Sequence, residues 1–140
     1  MDERSAYIAL NMIQGVGPIS IKILSHKLGS AAAIFEASEE DLLAINNVSS
    51  SVINAIIRKR NEVDPFEEER RASKNGINII SYMDADYPLT LKQIHDPPLA
   101  LYAMGRIKEE DKRSIAVVGT RYPTHYGRSV AEKLSIQMVS

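Results

Sequence analysis

Apolar positions recur at helical spacing through the first sixty residues and at strand spacing afterwards, and the switch of period near residue 64 divides the chain. Ala6, Ile8-Ala9-Leu10 and Met12-Ile13 predict a short apolar helix that stops at Gly15-Val16-Gly17. Pro18 opens the next helix, where its missing N–H would be unpaired in any case. That helix reaches Leu28, with Ile19, Ile23 and Leu24 on one face, Ile21 and Leu28 widening it, and Gly29 suited to its C-terminal cap. Ser30 opens a short helix through Phe35. Ser38 with Asp41 has the spacing of a capped start for Leu42-Leu43-Ala44-Ile45. After a turn at Asn46-Asn47-Val48-Ser49, a helix from Ser50 to Arg60 would bury Val52, Ile53, Ile56 and Ile57. The hairpin is echoed: Gly15-Val16-Gly17-Pro18-x-x-Ile21-x-x-Leu24 is matched by Asn46-Asn47-Val48-Ser49-x-x-Val52-x-x-Ala55, without the glycines.

Asp64-Pro65 starts a charged helix over Phe66 to Ser73, closed by Asn75-Gly76, with acids first and bases last as the helix dipole favours. The second part then alternates strands and helices. Ile77 to Ser81 and Leu99 to Met104 read as strands, the latter closed by Gly105. Between them Pro88 opens a short helix with Leu91 and Ile94 inward, stopped by His95-Asp96-Pro97-Pro98. A polar turn over Ile107 to Arg113 leads to a third strand, Ser114 to Val118, apolar from Ile115 on, as in a strand covered on both faces. A helix from Thr124 to Val139 follows, with Gly127, Ala131, Leu134 and Met138 on one face and Gly127 allowing close approach to the strand. This predicts an α + α/β chain: residues 1–62 a helical domain resembling SAM-like, helix-hairpin-helix modules, and residues 63–140 the beginning of a Rossmann-like α/β domain.

Composition narrows the chemistry. The 140 residues contain no cysteine, which removes disulfides, thiolate metal sites and thiol catalysis. No apolar run is long enough to span a membrane, and the acidic start, Met1-Asp2-Glu3-Arg4, does not resemble a signal peptide, so a cytoplasmic, membrane-free protein is expected. The net charge is −1, but its distribution is uneven: six Lys/Arg against eight Asp/Glu (−2) in 1–64, eight against nine (−1) in 65–113, and three against one (+2) in 114–140. Any nucleic-acid contact must therefore rest on a local patch. His26 and His95 have no partner at metal-ligand or triad spacing, and neither a metal, a cofactor nor a catalytic residue is assigned.

The candidate site is the turn after the third apolar run, Gly119-Thr120-Arg121, with Thr124 as cap of the following helix. Gly119 frees the backbone for close approach, Thr120 offers a hydroxyl and an N–H, and Arg121 adds a permanent planar cation suited to phosphate oxygens. The helix N-terminus supplies further N–H groups. The spacing lacks G-x-G-x-x-G, which argues against a dinucleotide. An Arg121 ion pair with Asp86 or Asp96 is the competing reading. His125 and Tyr126, either stacking on a base or simply covering the helix, and Arg128 are additional candidates for DNA contact. Gly15, Val16 and Gly17 could aim helix N–H groups at a phosphate, or serve only as a tight turn; Gly17 is expected to hold a backbone shape that a Cβ disfavours.

These residues resemble the DNA-processing protein A family (DprA/Smf). Three stretches carry the likeness: the Gly15-Val16-Gly17 module; Tyr87-Pro88-x-x-Leu91-x-x-Ile94-x-Asp96-Pro97-Pro98 followed by Leu101-Tyr102-x-x-Gly105; and Ile115-Ala116-Val117-Val118-Gly119-Thr120-Arg121 with Thr124-x-Tyr126-Gly127. The resemblance implies a single-stranded DNA-binding protein, not an enzyme, that protects incoming DNA, self-associates and loads the RecA recombinase in natural transformation. It places the DNA backbone at Gly119, Thr120 and Arg121. It also implies that the 140 residues are a piece of a longer protein. The strand–Gly–Thr–Arg turn resembles as well the nucleoside monophosphate phosphoribohydrolases of the LOG type, which would hold a nucleotide phosphate at the same place.

Overall fold

The computed structural model describes residues 1–108 and 114–139. It divides into two compact units, Met1–Ile107 and Lys108–Ser140. The first contains helices α1 (Glu3–Met12), α2 (Pro18–Leu28), α3 (Ala31–Glu36), α4 (Glu39–Leu43), α5 (Ser50–Lys59) and α6 (Pro65–Lys74), strand β1 (Ile77–Ser81), the one-turn helix α7 (Leu89–Lys92) and strand β2 (Ala100–Met104). The second contains α8 (His125–Val139).

Short-range caps set the helix boundaries. Asp2, Ser30, Ser38 and Ser49 each accept a backbone N–H three residues on, and Asp64 accepts those of Phe66 and Glu67. Gly29 ends α2 in the left-handed conformation at φ 97°, which needs no Cβ. Long-range bonds complete the caps. The Glu3 carboxylate accepts the Ala31 and Ala32 N–H groups at 2.8 and 3.0 Å, and Arg60 Nη1 donates to the Ile34 and Ala37 carbonyls at 3.2 and 2.6 Å. Glu3 and Arg60 thus complement the positive and negative ends of α3.

The hairpin repeat is real in the backbone, but its register is 32 residues, one more than the matched sequence pattern implies. Asn47 carries the positive φ of Gly15 (69° against 84°), and Ser49 takes the N-cap place of Gly17. The bonds Ile13 N–H to Leu10 O and Ile21 N–H to Gly17 O recur as Ile45 to Leu42 and Ile53 to Ser49. Ile53 and Ile56, not Val52 and Ala55, are therefore the counterparts of buried Ile21 and Leu24. The same geometry corrects the inward face of α2: Ile21 and Leu24 enter the core, while Ile19 is 47% exposed. Gly17 itself sits at φ −112°, ψ 164°, with no atom within 4 Å of where a Cβ would stand, so the expected strain belongs to Gly15 alone.

The core of the helical part gathers Leu10, Ile13, Ile21, Leu24, Ile34, Leu42, Ile53 and Ile56, and it also takes Leu99, which precedes β2. A second cluster packs Ile8 of α1 against Ala72 of α6, Ile79 of β1 and Ala100 of β2. Arg4 adds polar ties, donating to Glu69 Oε1 at 2.6 Å, Asp84 Oδ1 at 2.9 Å and the Ile79 carbonyl at 3.3 Å. α1 serves both clusters, so the first unit runs through the boundary expected at residue 62.

β1 and β2 pair antiparallel, Ile77 opposite Met104 and Ser81 opposite Ala100. Tyr87 is buried, its phenol donating to the Pro98 carbonyl at 2.8 Å across the loop between them. It takes the inward role expected of Ile94, which is 44% exposed; α7 has no buried residue. The third expected strand does not form. Residues 114–118 join no ladder among the described residues, and Ile115 and Val118 are 72% and 88% exposed. A strand exists only through a ladder partner, and the single sheet among the described residues is β1–β2. Leu134 and Met138 of α8 are likewise exposed, and the nearest atoms to a Cβ on Gly127 are its own turn, Thr124 Oγ1 at 3.5 Å and Pro123 at 4.0 Å. No close helix–strand approach uses that glycine among the described residues. The polar turn expected over 107–113 lies largely outside the described residues.

Candidate nucleic-acid interface

In the second unit the chain turns from 117–118 through Gly119-Thr120-Arg121 into α8. Thr124 caps the helix: its Oγ1 accepts the Gly127 N–H at 3.1 Å and its carbonyl accepts that of Arg128 at 3.0 Å. Thr120 Oγ1 accepts the Tyr122 N–H at 3.3 Å, which tightens the turn and leaves the hydroxyl proton for an outside acceptor. The first-turn N–H groups of His125 and Tyr126 carry no intrahelical bond, as at any helix start. An open cavity of about 480 Å³ lies over this turn, lined by Gly119, Thr120, Thr124, Gly127 and Arg128 among others. Arg121 stands outside the lining, exposed, and makes no ion pair among the described residues of its unit. His125 and Tyr126 are exposed too, Tyr126 at 80%. The turn thus combines donors and cations: the Thr120 and Thr124 hydroxyls, helix-end N–H groups, and Arg121 and Arg128.

The Gly15-Val16-Gly17 hairpin belongs to the first unit. Gly17 caps α2 without a side-chain bond, whereas its counterpart Ser49 closes α5 on itself through Oγ to the Val52 N–H. The first copy therefore keeps an open helix start, with exposed Lys22 one turn along.

Sequence reasoning missed a cluster in the same unit. Tyr7 of α1 stacks on Tyr82 (centroids 5.6 Å, 26°), Tyr82 meets Tyr87 edge-on at 5.4 Å, and Lys92 Nζ lies 5.1 and 5.6 Å from the latter two rings. Burial raises the pKa of Tyr7, with Glu3 adding to it, and that of Tyr87, with Tyr82 adding to it. The only local signal was Tyr82, Tyr87 and Lys92 at five-residue intervals between β1 and β2; Tyr7 is 75 positions away from Tyr82. Among the described residues no group of His, Cys, Asp and Glu could hold a metal ion, and no helix is long and apolar enough to cross a membrane.

Residues 78–140 match the family model of DNA recombination-mediator protein A. Over these 63 of its 140 residues the chain is similar to that family. The matched stretch begins within β1 and takes in the Tyr87 loop, β2, the Gly119-Thr120-Arg121 turn and α8. Protein Smf of Synechocystis sp. is 28% identical over 98% of this chain and 35% of its own length. The DNA processing protein DprA of Bacillus subtilis is 44% identical over 63 residues, 44% of this chain and 21% of its own. The chain thus spans about a third of Smf. No solved structure gives a significant match.

Proposed function

We propose that this chain is part of a DNA-processing protein that binds single-stranded DNA and acts in recombination by protecting the strand and delivering it to RecA, without catalysing a reaction on it. The phosphate backbone would lie at Gly119, Thr120 and Arg121, with Thr124 holding the start of α8 and with Arg128, His125 and Tyr126 as neighbouring contacts. The observation that carries this reading is the exposed Arg121, free of any ion pair among the described residues of its unit, beside a capped helix start and inside the stretch that the family model matches. A guanidinium there can give a phosphate two parallel hydrogen bonds, and helix-end N–H groups favour the same charge. The name of the Bacillus subtilis relative and the description of the family model support DNA as the ligand; self-association and the RecA partner rest on the family resemblance.

The test is Arg121→Ala in the parent protein, measured by fluorescence anisotropy with labelled single strands at two salt concentrations. A charge-assisted hydrogen bond of about 1.5–3 kcal/mol should be lost. The loss should be similar for different base sequences, and the log–log salt slope should become shallower by about 0.7, one phosphate on a single strand. Arg121→Lys should recover part of the affinity. A folded Arg121→Ala with unchanged affinity and slope refutes the assignment.

A further inference from the structure

A second cavity lies in the first unit, between the α1–α2 pair and the loop from Tyr82 to Leu99, and encloses about 190 Å³. Tyr7, Tyr82 and two prolines give it aromatic and flat aliphatic walls, and Lys22, Lys92 and His95 bring cationic or proton-donating groups. No carboxylate lines it, although the chain carries 18 Asp and Glu against 17 Lys and Arg. Lys22 and His95 are exposed at the rim, while Lys92 is half-buried, held over the Tyr82 and Tyr87 rings. The Ser25 hydroxyl is sealed from solvent beside Tyr7 without a well-aligned hydrogen bond.

We infer that this cavity is a nucleotide subsite, taking one planar base between the tyrosine and proline walls and its phosphate between Lys22, Lys92 and His95 at the mouth. Size decides the division. Pockets that enclose a whole drug-sized molecule run to roughly 300–1,000 Å³, so about 190 Å³ holds a ring system and leaves the phosphate outside it. Base stacking on aromatic side chains is tolerant of sequence, and lysines beside it answer the backbone charge. The Ser25 hydroxyl lies beside the Tyr7 phenol in the wall of the same cavity and adds a polar group there. The same chemistry is presented by a free nucleoside monophosphate and by one residue of a single strand. The choice of a nucleotide rests on the DNA reading given above, but the cavity is built wholly from the first unit and shares no residue with the Gly119-Thr120-Arg121 turn.

The experiment uses the 140-residue chain, thymidine monophosphate and an oligothymidylate, with tyrosine fluorescence as readout, since the chain has six Tyr and no Trp. Both ligands should change the emission. Lys22→Ala with Lys92→Met should weaken each by about tenfold or more, the equivalent of losing one charge-assisted contact. Near-ultraviolet circular dichroism reports whether the Tyr7–Tyr82–Tyr87 packing survives. His95→Ala, which removes a rim group without touching the tyrosines, is the milder companion and should weaken both ligands by a few-fold. Binding of the oligonucleotide but not the monophosphate, still sensitive to the lysine pair, identifies the single strand as the source; sensitivity of both admits the free nucleotide. Wild-type affinities in the folded lysine and histidine variants overturn the inference while leaving the Arg121 reading intact. Loss on Arg121→Ala with no effect of the cavity variants overturns it equally. Loss in the cavity variants with Arg121→Ala unaffected keeps the subsite and removes the turn.

Discussion

Replacing Gly15 and Gly17 one at a time separates backbone strain from every other role of the first hairpin. Gly15 stands at φ 84°, a left-handed backbone that costs an L-residue about 1–2 kcal/mol. Alanine there also lowers the entropy of the unfolded chain, which returns about 0.4–1 kcal/mol when the native backbone fits and less than the strain when it does not. The net expectation for Gly15→Ala is a loss of about 1 kcal/mol, or about 4 °C in Tm for a unit of this size. Gly17 stands at φ −112° with open space around the position of a Cβ, so Gly17→Ala gains from the unfolded chain's lower entropy but gives up a better N-cap residue, and should stay within a few tenths of a kcal/mol of wild type. Gly17→Ser should gain a little more, because it rebuilds the Oγ cap that Ser49 gives α5. Urea and thermal unfolding of the 140-residue chain, followed by circular dichroism at 222 nm, measures all three. Asn47→Gly is the internal control, since Asn47 holds the matching left-handed place at φ 69° and glycine should relieve it. If Gly17→Ala falls as far as Gly15→Ala, or Gly15→Ala unfolds like wild type, the backbone argument is wrong.

Other outcomes follow from single contacts. Tyr87→Phe removes the bond to the half-buried Pro98 carbonyl and should cost about 0.5–1.5 kcal/mol, read by urea unfolding. Glu3→Gln keeps an acceptor but loses the charge at the start of α3, and should cost about 1 kcal/mol or less, falling with added salt. Tyr7, Tyr87 and Tyr102 all have raised pKa values in the folded chain. The native state therefore binds protons more tightly than the unfolded one. Their stabilisation should be complete below about pH 10 and should fade as pH rises above it, so a Tm series from pH 8 to 11 should be flat and then fall. A steady decline from pH 8 would place the cause elsewhere.

The helix boundaries were legible because caps act over three or four residues. Pro18, Gly29, Ser30, Ser38, Ser49 and Asp64-Pro65 each fixed an end that the structure keeps. Which side of an element faces inward was less legible, because it is decided by distant partners. Ile19 and Ile94 fit a helical stripe, yet the core is completed by Leu99 and Tyr87 instead. The one-residue slip in the repeat has a local origin: a pattern built on glycine passes over Asn47, which can also adopt the left-handed backbone. Ile115 to Val118 has the composition of a buried strand, but composition cannot supply the neighbours that make one. Of the turn that follows, the Thr124 cap was readable from residue type alone, whereas the engagement of the Thr120 hydroxyl with Tyr122 was not. The tyrosine–lysine cluster joins Tyr7 to residues more than seventy positions later, beyond any local pattern.

The placement of Leu99 in the helical core has a consequence for synthesis on the ribosome. α1 to α5 leave the exit tunnel well before the residue that completes their packing. At about 5–20 residues per second, the interval from residue 60 to residue 99 lasts on the order of a few seconds. During that time the face awaiting Leu99 is open to solvent and to chaperones. The Tyr87 bond to Pro98, next to Leu99 in the chain, then helps to hold that last core residue in place.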